Sequence, residues 1–167
     1  TEMSIDVTST GVQVHGGMGF IEETGAAQYY RDARILTIYE GTTAIQANDL
    51  VGRKTARDGG AMARAFIAQM RTTAAEASAG SADLQATGKR LAAAIDASEN
   101  VVDYIVDEYK TDIRGVFAGS VPYVKLAGIV HGGWQMTRAA LAATRHVNDG
   151  IDIEFCRAKI ATARFFA

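Results

Sequence analysis

The spacing of small and apolar residues between positions 84 and 109 leaves little freedom in how this part of the chain can fold. Leu84, Gly88, Leu91, Ile95, Ser98, Val102, Ile105 and Tyr109 succeed one another in steps of four and three without a slip. Such a period puts all of them on one side of a single long helix, and a seam that regular has to be buried against other helices, as in antiparallel bundles. Residues 121 to 148 repeat the pattern with Tyr123, Ala127, Val130, Trp134, Thr137, Leu141 and Thr144. Shorter stripes flank these two: Met62, Phe66, Met70, Ala74 and Ala77 ahead, and Ile153, Cys156, Ile160 and Ala163 behind. Ser78-Ala79-Gly80-Ser81, residues 112 to 119 and Asp149-Gly150 read as the connections. With one proline and no sustained alternation of apolar and polar residues, strands have no foothold. The expectation is an all-α protein whose residues 59–167 form a four-helix bundle.

The first part, residues 1–58, has a different texture. Met3, Val7, Gly11 and Val14 recur at helical intervals, His15 to Gly25 is glycine-rich and reads as loop, and Ala26 to Arg34 is helical again. Ile35 to Gly41 is then a short connector. Thr42 or Thr43 can cap the next helix, since a hydroxyl there accepts a hydrogen bond from an otherwise unpaired amide of the first turn. That helix should run to about Arg57, with Asp58-Gly59-Gly60 ending it. The pattern opens in mid-helix without an initiator methionine, which suggests a piece of a larger protein.

Bulk properties narrow the function. The chain has 17 basic against 19 acidic residues and no basic stripe interleaved with aromatics, so nucleic acid is not an expected partner. No apolar run reaches the roughly 18 to 20 residues that span a bilayer, and no signal peptide is recognisable. The single cysteine, Cys156, excludes an internal disulfide and fits a reducing, cytoplasmic setting. It lies on the buried stripe of the last helix and reads as core. His131 and His146 lack companions at ligand spacing, so no metal is expected. Gly128 and Gly132 would allow close helix approach, and Trp134 would fill the core.

Two short segments could carry chemistry. Glu40 stands alone between Tyr39 and a Gly41-Thr42 step, with Ile38 nearby and no basic residue beside it, which makes it a candidate proton acceptor. The plainer reading is a surface acid that complements the dipole of the following helix. About twenty residues upstream, Gln13-Val14-His15-Gly16-Gly17-Met18-Gly19-Phe20 places three glycines in four positions, where backbone could approach a ligand closely and amides could meet phosphate or ribose oxygens. A connecting turn with a solvated His15 is the alternative.

Gln-x-x-Gly-Gly-x-Gly-aromatic, then Arg31-Asp32-Ala33-Arg34, then Ile38-Tyr39-Glu40-Gly41-Thr42, resembles the C-terminal helical domain of the flavin-dependent acyl-CoA dehydrogenases over residues 1 to about 55. The rest of the chain resembles the extra C-terminal helical segment of a longer bacterial branch of that family. The resemblance implies two parts, 1–58 with the catalytic base and 59–167 as an appended bundle, and a protein whose N-terminal helical and middle β domains lie elsewhere. It implies FAD as cofactor and an acyl-CoA thioester as substrate, converted to the trans-2-enoyl-CoA. By the same resemblance Glu40 removes the proton next to the carbonyl, Tyr39 and Gly41 adjoin the substrate, and the Glu40 amide is one of two donors to the thioester oxygen.

Gln13, Val14, His15, Gly16, Gly17 and Thr42 match positions that touch flavin, much of it held by a partner subunit; Ala44 stands where many relatives carry glutamine. Arg31-Asp32 is expected to form a structural ion pair or a helix-end arrangement near the site, not to take part in the chemistry. Further implied are an electron-transfer flavoprotein as partner, a homodimer or tetramer, and no turnover by this chain alone. An acyl-CoA oxidase, or a non-catalytic helical module serving oligomerisation, are the alternatives.

Overall fold

A computed structural model describes residues 1–166, and every regular element among them is helical. The chain divides into two compact units, Thr1–Gln46 and the remainder from Ala47 onward.

In the first unit, α1 (Glu2–Val14), α2 (Gly17–Phe20), a 3-10 turn (Glu22–Thr24) and α3 (Ala26–Ile35) come in order, with α1 packed on both α2 and α3. Residues 15 to 25 are therefore not plain loop. Gly16 and Gly25 take left-handed φ values of 60° and 77°, and between them carbonyls at Gly16 and Glu22 accept the amides of Gly19 and Gly25. Thr24 reinforces the segment by donating its hydroxyl to the carbonyls of Met18 and Ile21. Very little of this unit is buried: Gly19 in α2, Ala33 in α3, and nothing in α1. Met3, Val7 and Val14, which the sequence spaces like a core stripe, are all exposed.

Helix α4 (Thr43–Asp49) runs without a break into a π-helical segment, Leu50–Ala56. Gly59 and Gly60, at φ 63° and 79°, then reverse the chain into α5 (Ala61–Ser78), α6 (Ala82–Glu108), a short α7 (Ile113–Ala118), α8 (Ser120–Asn148) and α9 (Ile153–Phe166). The anticipated four-helix bundle is α5, α6, α8 and α9, with α5 on α6 and α8 on α9 as its main pairings. Leu84, Gly88, Leu91, Ile95, Ser98, Val102 and Ile105 are all buried, so the seam of α6 behaves as its spacing predicts. On α8, Tyr123, Val130, Trp134, Thr137 and Leu141 are buried as well. The π-helical segment adds Val51 and Thr55 to the same core.

The stripe on α5 departs from expectation. Met70, Ala74 and Ala77 are buried, but Met62 and Phe66 are exposed, and Ile67 takes the core position instead. At 3.6 residues per turn each step of four overshoots by about 40°, so two such steps carry Met62 about 80° away from Met70. Likewise Cys156 and Ala163 are buried on α9 whereas Ile153 is exposed. Gly132 does sit under another helix, since a Cβ there would meet the Phe166 ring at 2.9 Å, but Gly128 faces open space. Trp134 is anchored by its indole N–H, which donates to Thr73 Oγ1 at 2.8 Å.

Candidate active site

Glu40 closes the connector after α3. The amides of Ile38 and Tyr39 bond back to the Ile35 carbonyl, and Glu40 itself adopts φ 52°, a left-handed conformation that side chains disfavour. Gly41 comes next at φ 100°; a Cβ there would lie 2.9 Å from Ile45 Cγ2, so only glycine fits. The turn is locked from the next helix: Gln46 Nε2 donates to the Glu40 carbonyl at 2.6 Å, and the Gln46 amide donates to the Thr42 carbonyl at 3.0 Å. Gln46 had no assigned role on sequence grounds, although its spacing of six from Glu40 was the available signal. The Glu40 side chain is exposed and makes no ion pair or hydrogen bond among the described residues. Tyr39 is exposed beside it and Gly41 is half-buried.

Gln13 and Val14 form the last turn of α1, and His15 ends that helix. The His15 ring folds back so that Nδ1 lies 2.9 Å from the Gly11 carbonyl. Because a carbonyl only accepts, Nδ1 is the donor in this contact. The three nearby glycines have three separate reasons. Gly16 supplies the left-handed turn; a Cβ on Gly19 would sit 2.2 Å from the Val12 carbonyl, so its role is the close packing of α2 on α1; Gly17 faces nothing within 4 Å. A Cβ on Gly16 would also meet nothing within 4 Å, so Gly16 and Gly17 both keep the kind of open backbone that a ligand could approach. His15 also lines a shallow cavity of about 280 Å³ with Val7, Gly11, Thr24 and Tyr29, and Glu40 is not part of its wall. Thr42 is exposed, one residue before α4.

Neighbouring charged residues are structural. Arg31 does not pair with Asp32; its guanidinium bonds Gln28 at 2.7 Å and approaches Glu22 at 3.6 Å, while Asp32 accepts from Gln28. Arg53 bonds Asp49 at 2.6 Å one turn back, and this bond holds the Asp49 carboxyl below the usual carboxylate range, helped by the charges of Arg53 and Lys54 against partial desolvation. No group of His, Cys, Asp and Glu that could hold a metal occurs among the described residues.

Among the described residues the chain is all-helical, with a strained Glu40 ahead of α4 and a glycine turn after α1. The family described as "Acetyl-CoA dehydrogenase C-terminal like" matches residues 66–167, and "Acyl-CoA dehydrogenase, C-terminal domain" matches residues 1–56. The chain belongs to the acyl-CoA dehydrogenase family. Over its whole length it is 53% identical to 3-methylmercaptopropionyl-CoA dehydrogenase of Ruegeria pomeroyi, of which the match covers 28%. It is 33% identical to a broad-specificity linear acyl-CoA dehydrogenase of Mycobacterium tuberculosis, over 93% of this chain and 27% of that protein. A 46-residue match at 44% identity links it to a caffeyl-CoA reductase-Etf complex subunit of Acetobacterium woodii, over 28% of this chain and 12% of that protein. The chain spans only about 28% of the length of the first of these relatives.

Proposed function

We propose that this chain supplies the catalytic base and part of the flavin-binding surface of an FAD-dependent acyl-CoA dehydrogenase, with 1–58 as the catalytic part and 59–167 as an appended helical bundle. The observation that carries the proposal is the backbone at Glu40, held left-handed between α3 and α4 with a carboxylate that bonds to none of the described residues. Strained backbone of this kind clusters at functional sites. Glu40 takes the proton from the carbon next to the thioester carbonyl; its own amide, which bonds no carbonyl among the described residues, donates to that carbonyl's oxygen as charge develops there. Displacement of water by the acyl chain beside Tyr39 makes the carboxylate reactive.

Flavin, when bound, accepts the hydride that leaves the neighbouring carbon. The residues present fit it: a Cβ on Gly16 or Gly17 would meet nothing within 4 Å, and Gln13, Val14, His15 and Thr42 are each exposed. A dimeric or tetrameric assembly would cover Val14 and Phe20, which are 80% and 81% exposed here. The named Etf complex of one relative supports an electron-transfer flavoprotein as redox partner, and the reaction belongs to acyl-CoA oxidation in the cytoplasm. The 53% identical relative makes 3-methylmercaptopropionyl-CoA the first thioester to assay.

The test is single-turnover flavin reduction in the intact FAD-loaded protein that contains this chain. Glu40→Gln should slow it about 10²- to 10⁴-fold with flavin still bound, whereas the isolated chain with added FAD should not turn over. Unchanged reduction in the variant would remove Glu40 from the reaction.

A further inference from the structure

The second unit contains a cavity made from residues that proton transfer does not use. About 190 Å³ of space lies between the π-helical segment, α5, α6 and α8. Its inner wall includes Ile67, Met70 and Val102, all buried, and three hydroxyls are set into it, those of Thr55, Ser98 and Tyr123. The Thr55 and Tyr123 hydroxyls bond each other at 3.1 Å, and burial pushes the Tyr123 phenol up, so it stays neutral. Ser98 differs. It is 8% exposed, yet its hydroxyl bonds to no described residue, whereas Thr137 and Thr144 on α8 bond back to carbonyls one turn earlier. No sealed side-chain polar atom among the described residues lacks a partner, so the Ser98 hydroxyl keeps accessible surface, and Ser98 lines this cavity.

The rim is half open. Met62 and Phe66 are exposed there, which accounts for two apolar residues that the bundle leaves uncovered. The rim cation, Lys54, already has Asp49 at 3.6 Å. His131 donates its Nδ1–H to the Ala127 carbonyl at 2.8 Å. Leu50 and Thr55, one above the other in i→i+5 register, bring the π-helical segment to the wall, a local geometry found often at functional sites.

We propose that this cavity binds a small neutral amphiphile, an apolar body carrying one uncharged oxygen that hydrogen-bonds Ser98. The size is set by the volume: an apolar cavity of about 150 Å³ holds benzene, so this one takes roughly six to eight heavy atoms. The neutrality is set by the wall. Neutral hydroxyls and hydrocarbon satisfy an alcohol or ketone oxygen, but they leave an ionised carboxylate desolvated and uncompensated.

The proposal stands apart from the role of Glu40 and is tested on the chain itself. Titration of the ¹⁵N-labelled protein with 1-hexanol should give saturable shifts centred on Thr55, Ser98 and Tyr123. Ser98→Ala should weaken binding about fivefold, the value of one hydrogen bond, and Ala127→Leu, which fills the cavity from α8, should abolish it. Sodium hexanoate should bind at least tenfold more weakly. Absence of saturable shifts would mean that the cavity holds water only. That result, equal affinity for hexanoate, undiminished affinity in Ser98→Ala, or shifts that survive Ala127→Leu would each overturn the proposal.

Discussion

At position 40 a side chain occupies backbone space that glycine would occupy without strain. The left-handed φ of 52° at Glu40 costs about 1 to 2 kcal/mol for a residue with a Cβ, and Gly41 next to it shows what the turn itself favours. Glu40→Gly should therefore stabilise the connector by about 0.5 to 1 kcal/mol after allowance for the extra freedom glycine gains when unfolded, read as slower amide exchange across residues 36–46. Glu40→Gln keeps the strain and removes only an exposed charge, so it should change stability by less than about 0.5 kcal/mol. A near-neutral Glu40→Gln is what a carboxylate without a structural role predicts; a destabilising one would point to a structural acid. The glycines upstream divide in the same way. Gly19→Ala drives a methyl into the Val12 carbonyl and should displace α2 from α1 at a cost of about 1 to 3 kcal/mol, whereas Gly17→Ala meets nothing and should leave the helices in place. Amide chemical shifts in α1 and α2 separate the two.

Between helices, opposite outcomes for one substitution show how packing overrides propensity. Alanine is the better helix former by about 1 kcal/mol, so Gly128→Ala, on an open face of α8, should stabilise by about 0.5 to 1 kcal/mol. Gly88→Ala should destabilise by about 1 to 3 kcal/mol, because its methyl would lie 2.7 Å from the Ser78 amide and 2.8 Å from the Ala74 carbonyl, backbone atoms of α5 that cannot swing aside. Thermal unfolding of the pair should show shifts of opposite sign. The junction of α4 and the π-helical segment carries a pH dependence: the Asp49 carboxyl is held below its ordinary value, chiefly by its hydrogen bond to Arg53. A depressed carboxyl stabilises fully above its unfolded value and loses that contribution as pH falls through the lower, folded one. Asp49→Asn should thus lower stability at neutral pH, where the contribution is fully present, leave stability at low pH little changed, and so flatten the profile below about pH 4. Elements of this kind were legible in different degrees. The unbroken seams of α6 and α8 read directly from the sequence, since a four-three period admits one buried face. Met62 and Phe66 misled, because consecutive steps of four rotate off the face they start on. The short helices at 17–20 and 22–24 escaped a reading that took glycine as loop, since two of those glycines serve turns and packing inside a folded segment. Tyr39-Glu40-Gly41-Thr42 was visible as a motif, while the strain at Glu40 and its lock by Gln46 arise only from tertiary geometry.

Burial is distributed very unevenly over the molecule, and the consequence is measurable. Residues from Ala47 onward enclose a continuous core around Val51, Ile95, Val102 and Val130, reinforced across helices by Arg71 with Asp96 and Glu99. The first 46 residues bury only Gly19 and Ala33, so the hydrophobic term that stabilises the bundle is nearly absent from them. Local opening should therefore be far easier in Thr1–Gln46 than in the bundle. Native-state hydrogen exchange should show α1 and α3 amides exchanging through local openings of low free energy, and α6 and α8 amides only near the free energy of global unfolding. Ile95→Ala, which removes a fully buried side chain, should cost about 2 to 5 kcal/mol. That loss should speed exchange throughout α5, α6 and α8 and leave α1 unaffected. Equal acceleration in α1 would show that the two units unfold together, and that the stability of the turn bearing Glu40 is borrowed from the bundle.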